Sequence, residues 1–349
     1  MKRKRIIRTL ALFTIVALIV VTALPGISLA AKKSGDGTIK MKVGTGVPAS
    51  SMSAQQIEKF CKLVTDRTNG KIKFDFFHDS MLGQEGPLVE AAGLGTVDVV
   101  MSDAAYIANI NPAFGVLDFM YVYRDLKGYK KVLESSIFND LSADVVKASG
   151  IIPLAPFILG PRHLMTVNKI VKNPEDAKGL LFRSQPSELS QYFTKTLGGT
   201  PTPIPWPETY VALKQGMAVG AECSIECIWY GNWHEVCNYL ILTGHVYTNE
   251  IVSMSKMAWK LLTPDQQKIV KVAAMEVAEW KIDQVEPSTK AFFKKMMAAN
   301  PKLEVIEITD KEKNVFKERA AKFAEDFRVK NAKYNWGAYY DRVVKLGWE

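Results

Sequence analysis

The chain of 349 residues carries 45 Lys and Arg against 36 Asp and Glu, a formal charge of +9, with 48% hydrophobic and 23% charged residues. Such a balance supports a packed core, excludes disordered, collagen-like and coiled-coil chains, and at this length suits about two domains. A mean hydropathy of -0.01 argues against a polytopic membrane protein.

The basic excess is not a nucleic-acid footprint. Lys2, Arg3, Lys4, Arg5 and Arg8 head an apolar run that ends before Pro25-Gly26, and Ser28-Leu29-Ala30 follows. That order reads as a secretory signal peptide, residues 1–30, cleaved after Ala30. A membrane anchor is the competing reading, but the run is marginal for spanning a bilayer. Removing residues 1–30 takes away five cationic side chains and no acidic one, leaving 40 against 36, or +4. Cations between residues 311 and 333 alternate with Glu and Asp, as on a solvated helix face. No nucleic-acid partner is expected.

Residues 31–38 are polar and Gly-rich and read as a flexible lead-in. Strand and helix patterns then alternate: strand 39–44, helix 53–68 ended by Asn69-Gly70, strand 71–77, helix 85–95, strand 97–101, one long helix 126–149 and strand 151–157. A second α/β stretch has strands at 163–167, 179–183, 200–204 and 220–223 and helices at 187–197 and 208–215. After a strand at 251–255, a helical pattern runs from 264 to about 297, on the order of 50 Å and longer than one domain is wide. The expected fold is α/β in two lobes with an interdomain cleft. Residues 39–159 with about 249–285 form lobe I, 160–248 with about 286–349 form lobe II, and helix 264–297 bridges both. Ligands bind in such clefts.

Catalytic motifs are missing: there is no Gly-x-Ser-x-Gly, His-Glu-x-x-His, Walker A or dinucleotide fingerprint in the sequence. The four histidines, His78, His163, His234 and His245, neighbour no evident nucleophile. No enzyme activity is expected. Cys223, Cys227, His234 and Cys237 supply four possible zinc donors, although their spacing is irregular for a zinc module. Export favours disulfides, and Cys227 with Cys237 is the expected pair if one forms; buried free thiols are the alternative. Cys61 reads as core.

Several blocks together carry a family likeness. Gly160-Pro161-Arg162, the run Asn173-Pro174-Glu175-Asp176-Ala177-Lys178-Gly179-Leu180-Leu181-Phe182-Arg183, Gly198-Gly199-Thr200-Pro201-Thr202-Pro203, residues 208–216, and Gly220-Ala221-Glu222 follow in order. Ser80-Met81-Leu82-Gly83-Gln84-Glu85, Gly95-Thr96-Val97-Asp98 and Leu262-Thr263-Pro264-Asp265-Gln266-Gln267 agree as well. In these blocks the chain resembles the solute-binding proteins of tripartite ATP-independent periplasmic (TRAP) transporters, the DctP family. The resemblance implies a periplasmic protein that closes on a small-molecule carboxylate and delivers it to TRAP membrane permease subunits. A monomer is expected.

It also assigns roles. Arg183 takes the ligand carboxylate, through two parallel charge-assisted hydrogen bonds. Arg162 is a second pocket arginine, binding the ligand or orienting Arg183. Trp206 stands where the family has an aromatic wall, with Trp229 as a further aromatic. Asp103 and Tyr106 reach in from lobe I, and Gly46, Val47 and Gln84 line the same cleft. Cys223 replaces a family asparagine, which removes a polar contact and suggests an aromatic or otherwise apolar ligand body. Val219 replaces a family aspartate. No cofactor is implied, with a cation held partly by Glu222 as the alternative. The remaining alternatives are a ligand sensor sharing the same pocket and a secreted zinc protein.

Overall fold

The computed structural model describes residues 31–349, and the expected signal peptide lies outside the described residues. The lead-in is more ordered than its composition suggests. Strand β1 (Lys32–Lys33) pairs antiparallel with β2 (Ile39–Thr45), joined by a turn in which Gly37 takes φ 81°. The Ser-Gly-Asp-Gly run that reads as a linker is therefore a hairpin turn.

Helix α1 (Met52–Arg67) is capped by Ser51, β3 (Ile72–Phe77) lies parallel to β2, and α2 (Glu85–Gly93) leads to β4 (Val99–Asp103) and the short α3 (Ala104–Ala108). The single helix expected over 126–149 is two, α4 (Leu126–Glu134) and α5 (Ile137–Ala148). Ser135 separates them: its hydroxyl bonds the Val132 carbonyl at 2.6 Å and accepts from Ile137 N at 3.2 Å. Such local bonds compete with the helical ladder.

Strand β5 (Ile151–Thr166) is the principal departure from the sequence reading, which divides it in two around Gly160-Pro161. It runs unbroken for 16 residues. Its first part pairs antiparallel with β10 (Tyr247–Ser255); its last part pairs with β8 (Gly220–Ser224) and β9 (Tyr239–Ile241). Gly160 sits at the passage between these partners with φ 112°, where a Cβ would come within 3.1 Å of Val285. The β10 register shifts between Thr248 and Asn249 at the same level, a bulge that bends the ladder.

One half of the sheet thus orders β1, β2, β4, β10, β5, with β3 on β2; the other continues β5, β8, then β6 (Leu181–Ser184) and β7 (Thr200–Pro203). Parallel pairs β2–β4, β6–β7 and β6–β8 flank the antiparallel β4–β10–β5–β8 centre. Helices α6 (Glu188–Thr196), α7 (Thr209–Lys214) and α8 (Ile225–Tyr230) join the second half. After the single-turn α9 (Lys256–Trp259), helix α10 (Pro264–Ala299) packs along β5, α1 and α8 and so touches both halves. Thr263 and Gln266 close it with a capping box, and its 36 residues continue through Pro287. Strand β11 (Glu304–Ile306) pairs with β9. Helix α11 (Asp310–Lys330) packs on α6, and α12 (Trp336–Trp348) returns to α4, in the segment assigned from sequence to lobe I. There the backbones meet so closely that a Cβ on Gly128 would lie 2.0 Å from the Gly347 carbonyl. No helix among the described residues is long and apolar enough to cross a membrane.

Candidate ligand-binding site

Where β5 passes between the two halves, a small, partly enclosed cavity is lined by residues from both. Val47, Pro48, Ser51 and Ser53 come from the β2–α1 connection and the start of α1, and Glu85, Asp103, Leu159 and Glu250 from α2, β4, β5 and β10. Arg162, Gln185, Trp206, Cys223, Glu226, Cys227 and Tyr230 complete the lining.

The two arginines differ sharply in their surroundings. Arg162 is committed. Its Nε and Nη2 hold both carboxylate oxygens of Glu222, Nη2 reaching Oε1 at 2.8 Å and the Glu222 carbonyl at 2.9 Å. Nη1 donates to Thr248 Oγ1 at 3.1 Å and lies 3.5 Å from Asp103 Oδ2. The β5–β8 register sets this up, since Arg162 faces Ser224 and the diagonal neighbour is Glu222. Burial opposes the Arg162 charge, and Glu222 overrides it and pushes its pKa well up. Burial likewise lifts the Glu222 carboxyl, and Arg162 outweighs that and holds it at about 2. His245, which bonds Glu222 at 3.1 Å, is pushed down by burial and stays a neutral partner.

Arg183 is 1% exposed and less satisfied. Its Nε donates to the Ile204 carbonyl at 2.8 Å, and its guanidinium lies 5.9 Å from the Trp233 ring centroid. Nη1 and Nη2 are buried and without a hydrogen-bond partner. Burial pulls its pKa down, offset in part by Cys223, Tyr106 and Glu222. A guanidinium desolvated with two free nitrogens is costly unless an anion meets it. Arg183 is not among the residues lining the cavity; it stands behind the lining. Its bond to Ile204 ties it to the segment carrying Trp206, whose buried Nε1 is also unpartnered.

Of the other residues singled out in the sequence, Val47, Asp103, Trp206 and Cys223 line the cavity. Asp103 caps α3 by accepting from Ala105 N at 2.8 Å, and its second oxygen accepts from Gln185 Nε2 at 3.1 Å. Gly46 backs the lining, since a Cβ there would lie 3.1 Å from the Glu85 side chain. Tyr106 is buried behind it, against Gly86. Gln84 stays outside, 3.5 Å from Ser80 Oγ, at the start of α2. Trp229 is also outside, stacked on His234 with centroids 4.9 Å apart.

The four cysteines are free, so no Cys227–Cys237 disulfide forms. Cys227, in the first turn of α8, instead hydrogen-bonds to Cys223 at the end of β8, while Cys237 is buried in the core of the second half. Among the described residues no group of three or more His, Cys, Asp or Glu is placed to hold a metal ion, and His234 stacks on Trp229.

Residues the sequence reading missed include Glu85, Gln185, Glu226 and Glu250. Glu85 Oε2 accepts from Asp103 N at 2.9 Å, and burial, then the Asp103 charge, raises its pKa to about 7. Glu250 is buried with Oε2 unpartnered, and burial drives its pKa well up. Glu226 accepts from Ser53 N at 3.1 Å and from Lys281 Nζ at 3.2 Å, linking α8, α1 and the fully buried Lys281 of α10. Gln185 was legible as the residue two beyond Arg183, just past the end of β6, and Glu250 as an acid within a buried strand.

Two sheet halves sharing β5, a helix laid along both, and a cavity between them with a buried unpaired guanidinium behind its wall define a two-lobed solute-binding protein. The model of bacterial extracellular solute-binding protein, family 7 (DctP), matches residues 43–330, and the chain belongs to this family. It is 28% identical over 288 residues to the 2,3-diketo-L-gulonate-binding periplasmic protein YiaO of Escherichia coli (strain K12), covering 82% of this chain and 86% of that one. The TRAP periplasmic solute binding protein of Polaromonas sp. JS666 bound to D-erythronate matches with a TM-score of 0.79 at 27% identity, over 86% of this chain and 98% of that one. The corresponding protein of Sulfurospirillum deleyianum DSM 6946 with bound succinate matches with a TM-score of 0.79 at 26% identity, over 87% and 97%.

Proposed function

We propose that this protein captures an organic carboxylate between its lobes and delivers it to the membrane subunits of a TRAP transporter. The observation that carries the reading is Arg183, buried with both Nη atoms unpartnered. A ligand carboxylate would accept from both, and in a water-excluded cleft such a pair is stronger than at a surface. Arg162 is a positioning residue: held by Glu222, it fixes the strand that carries it and adds positive potential beside Arg183. Trp206 forms a wall and offers Nε1 as a further donor. The family's solved relatives with bound D-erythronate and succinate support a carboxylate class. Closure involves the segments that run through both halves, namely β5 and α10, with residues 39–159 and 160–248 forming the bulk of the two lobes. The chain acts outside the cytoplasm after cleavage following Ala30.

The test is a panel of organic acids, mono- and dicarboxylates and sugar acids, screened by thermal shift and calorimetry on residues 31–349 and repeated on Arg183→Ala. A saturable shift from at least one acid, lost in the variant, is expected. An acid that binds the variant as tightly as the parent refutes the role given to Arg183.

A further inference from the structure

The cavity has a charge pattern that a simple anion does not match. Four carboxyl side chains line it, from Glu85, Asp103, Glu226 and Glu250, against one guanidinium, Arg162, which is already bound by Glu222. Glu226 is answered by Lys281, and Asp103 by donors from Ala105, Gln185 and Thr248. Glu85 has the single backbone donor of Asp103, and Glu250, only 4% exposed, has Oε2 without any partner. A buried carboxyl oxygen with no donor is as anomalous as the unpaired Arg183 nitrogens, and calls for a ligand of opposite character.

These unpartnered atoms lie on opposite halves. The donors, Arg183 Nη1 and Nη2 and Trp206 Nε1, belong to β6 and the segment after β7. The unpartnered acceptor, Glu250 Oε2, belongs to β10, beside Asp103 in the β4–β10 register, and Glu85, with its single donor, stands at the start of α2. A molecule held between the halves would meet donors at one end and carboxyl groups at the other.

We propose that the ligand is zwitterionic, an amino carboxylic acid or a close chemical relative, with its carboxylate on Arg183 and Trp206 and its ammonium group on Glu250 and Glu85. This rests on the carboxylate reading above and narrows it. A plain acid leaves Glu250 Oε2 without a donor. A hydroxyl supplies that hydrogen bond but carries no charge to pair with a carboxylate. An ammonium group does both, letting carboxyls that burial otherwise holds protonated ionise against it. The apolar surfaces of Val47, Leu159, Trp206 and Tyr230 then face the body of the molecule.

Matched sets that share a carbon skeleton test this: propionate, lactate and alanine; succinate, malate and aspartate; 3-phenylpropionate, 3-phenyllactate and phenylalanine. Binding is measured by calorimetry on residues 31–349 after treatment with a chelator, which keeps cation-bridged binding out of the comparison. In at least one set the amino member binds at least tenfold tighter than both others. Glu250→Gln reduces that affinity tenfold or more while changing the hydroxy member less than threefold. Should Glu250→Gln lose its native circular dichroism, Glu85→Gln makes the same comparison. Hydroxy or unsubstituted members that bind as tightly as the amino member in every set that binds overturn the inference and leave the carboxylate reading standing. So does a Glu250→Gln variant that weakens all members alike. Absence of binding by all nine acids, with binding of a sugar acid from the wider panel, overturns the inference and leaves the carboxylate reading standing; absence of binding across the wider panel as well overturns both.

Discussion

Removing the Arg183 charge separates binding from stability. In Arg183→Met the variant loses two buried nitrogens that bond nothing and one Nε bond to the Ile204 carbonyl, worth about 1 kcal/mol. Because burial already pulls the Arg183 pKa down, the folded state bears a desolvation cost that methionine does not carry. The unliganded variant is therefore expected to melt at the parent temperature or above it. Binding moves the other way. Truncating one partner of a desolvated charge pair costs about 2–5 kcal/mol, or roughly 30-fold to several thousand-fold in affinity. At a ligand concentration of about 100 times the parent Kd, the parent gains about 2.7 kcal/mol of stability. A variant weakened 100-fold gains only about 0.4 kcal/mol under the same conditions. For a chain of roughly 320 folded residues the parent shift is about 4 °C and the variant shift below about 1 °C. Scanning fluorimetry with and without the binding acid reads both quantities at once. A variant several degrees less stable without ligand, yet shifted as much as the parent with it, would mean that Arg183 is a structural residue and the reasoning is wrong.

Arg162→Met should behave in the opposite sense: it strips Glu222 of its charge partner inside the protein, so chemical denaturation should show a loss of about 3–5 kcal/mol without ligand. Lys281→Met should cost a similar amount by stranding Glu226, and the double variant Lys281→Met with Glu226→Gln should recover most of it; additive losses in that cycle would deny the pairing. The pH dependence of the unliganded protein follows from Glu85, whose folded pKa of about 7 exceeds its ordinary value of 4.5. The folded state keeps that proton where the unfolded state has released it, so stability is lost as pH rises from about 4.5 through 7. Discounted for partial exposure the loss is on the order of 1–2 kcal/mol, and Glu85→Gln should flatten this part of the profile. Thiol titration under denaturing, non-reducing conditions should count four free cysteines per chain; a count of two would restore the disulfide that the fold denies.

The alternation of periods 2 and 3.6 made most strands and helices legible, because both sheet halves carry regular amphipathic helices on buried strands. The error over residues 151–167 came from Gly160-Pro161, local signals that normally end a strand. Here the chain keeps extended geometry through them because the sheet itself changes partners at that point, from β10 to β8 and β9. The Ser135-Ser136 break was invisible for the reverse reason: serine is a poor but permitted helix residue, and only its hydroxyl bonds to Val132 and Ile137 reveal the interruption.

The site shows where sequence stops. Arg162 and Arg183 sit in comparable motifs, and nothing in their neighbours says which one is free. The distinction is made by Glu222, sixty residues from Arg162 in sequence and adjacent across the β5–β8 ladder, which takes Nε and Nη2 of one guanidinium while both Nη atoms of the other stay unpartnered behind the cavity wall. Evolution of specificity in this fold can then work on the unpaired atoms alone. On the proposed binding mode, exchanging Glu250 or Trp206 should alter which ligand is held, while exchanging Arg162 or Glu222 should alter whether the strand that carries the pocket holds its place. The acids that the sequence hid, Glu85 and Glu250, are informative for the same reason: each is tolerable in a buried strand or helix start only if something else in the cavity meets it.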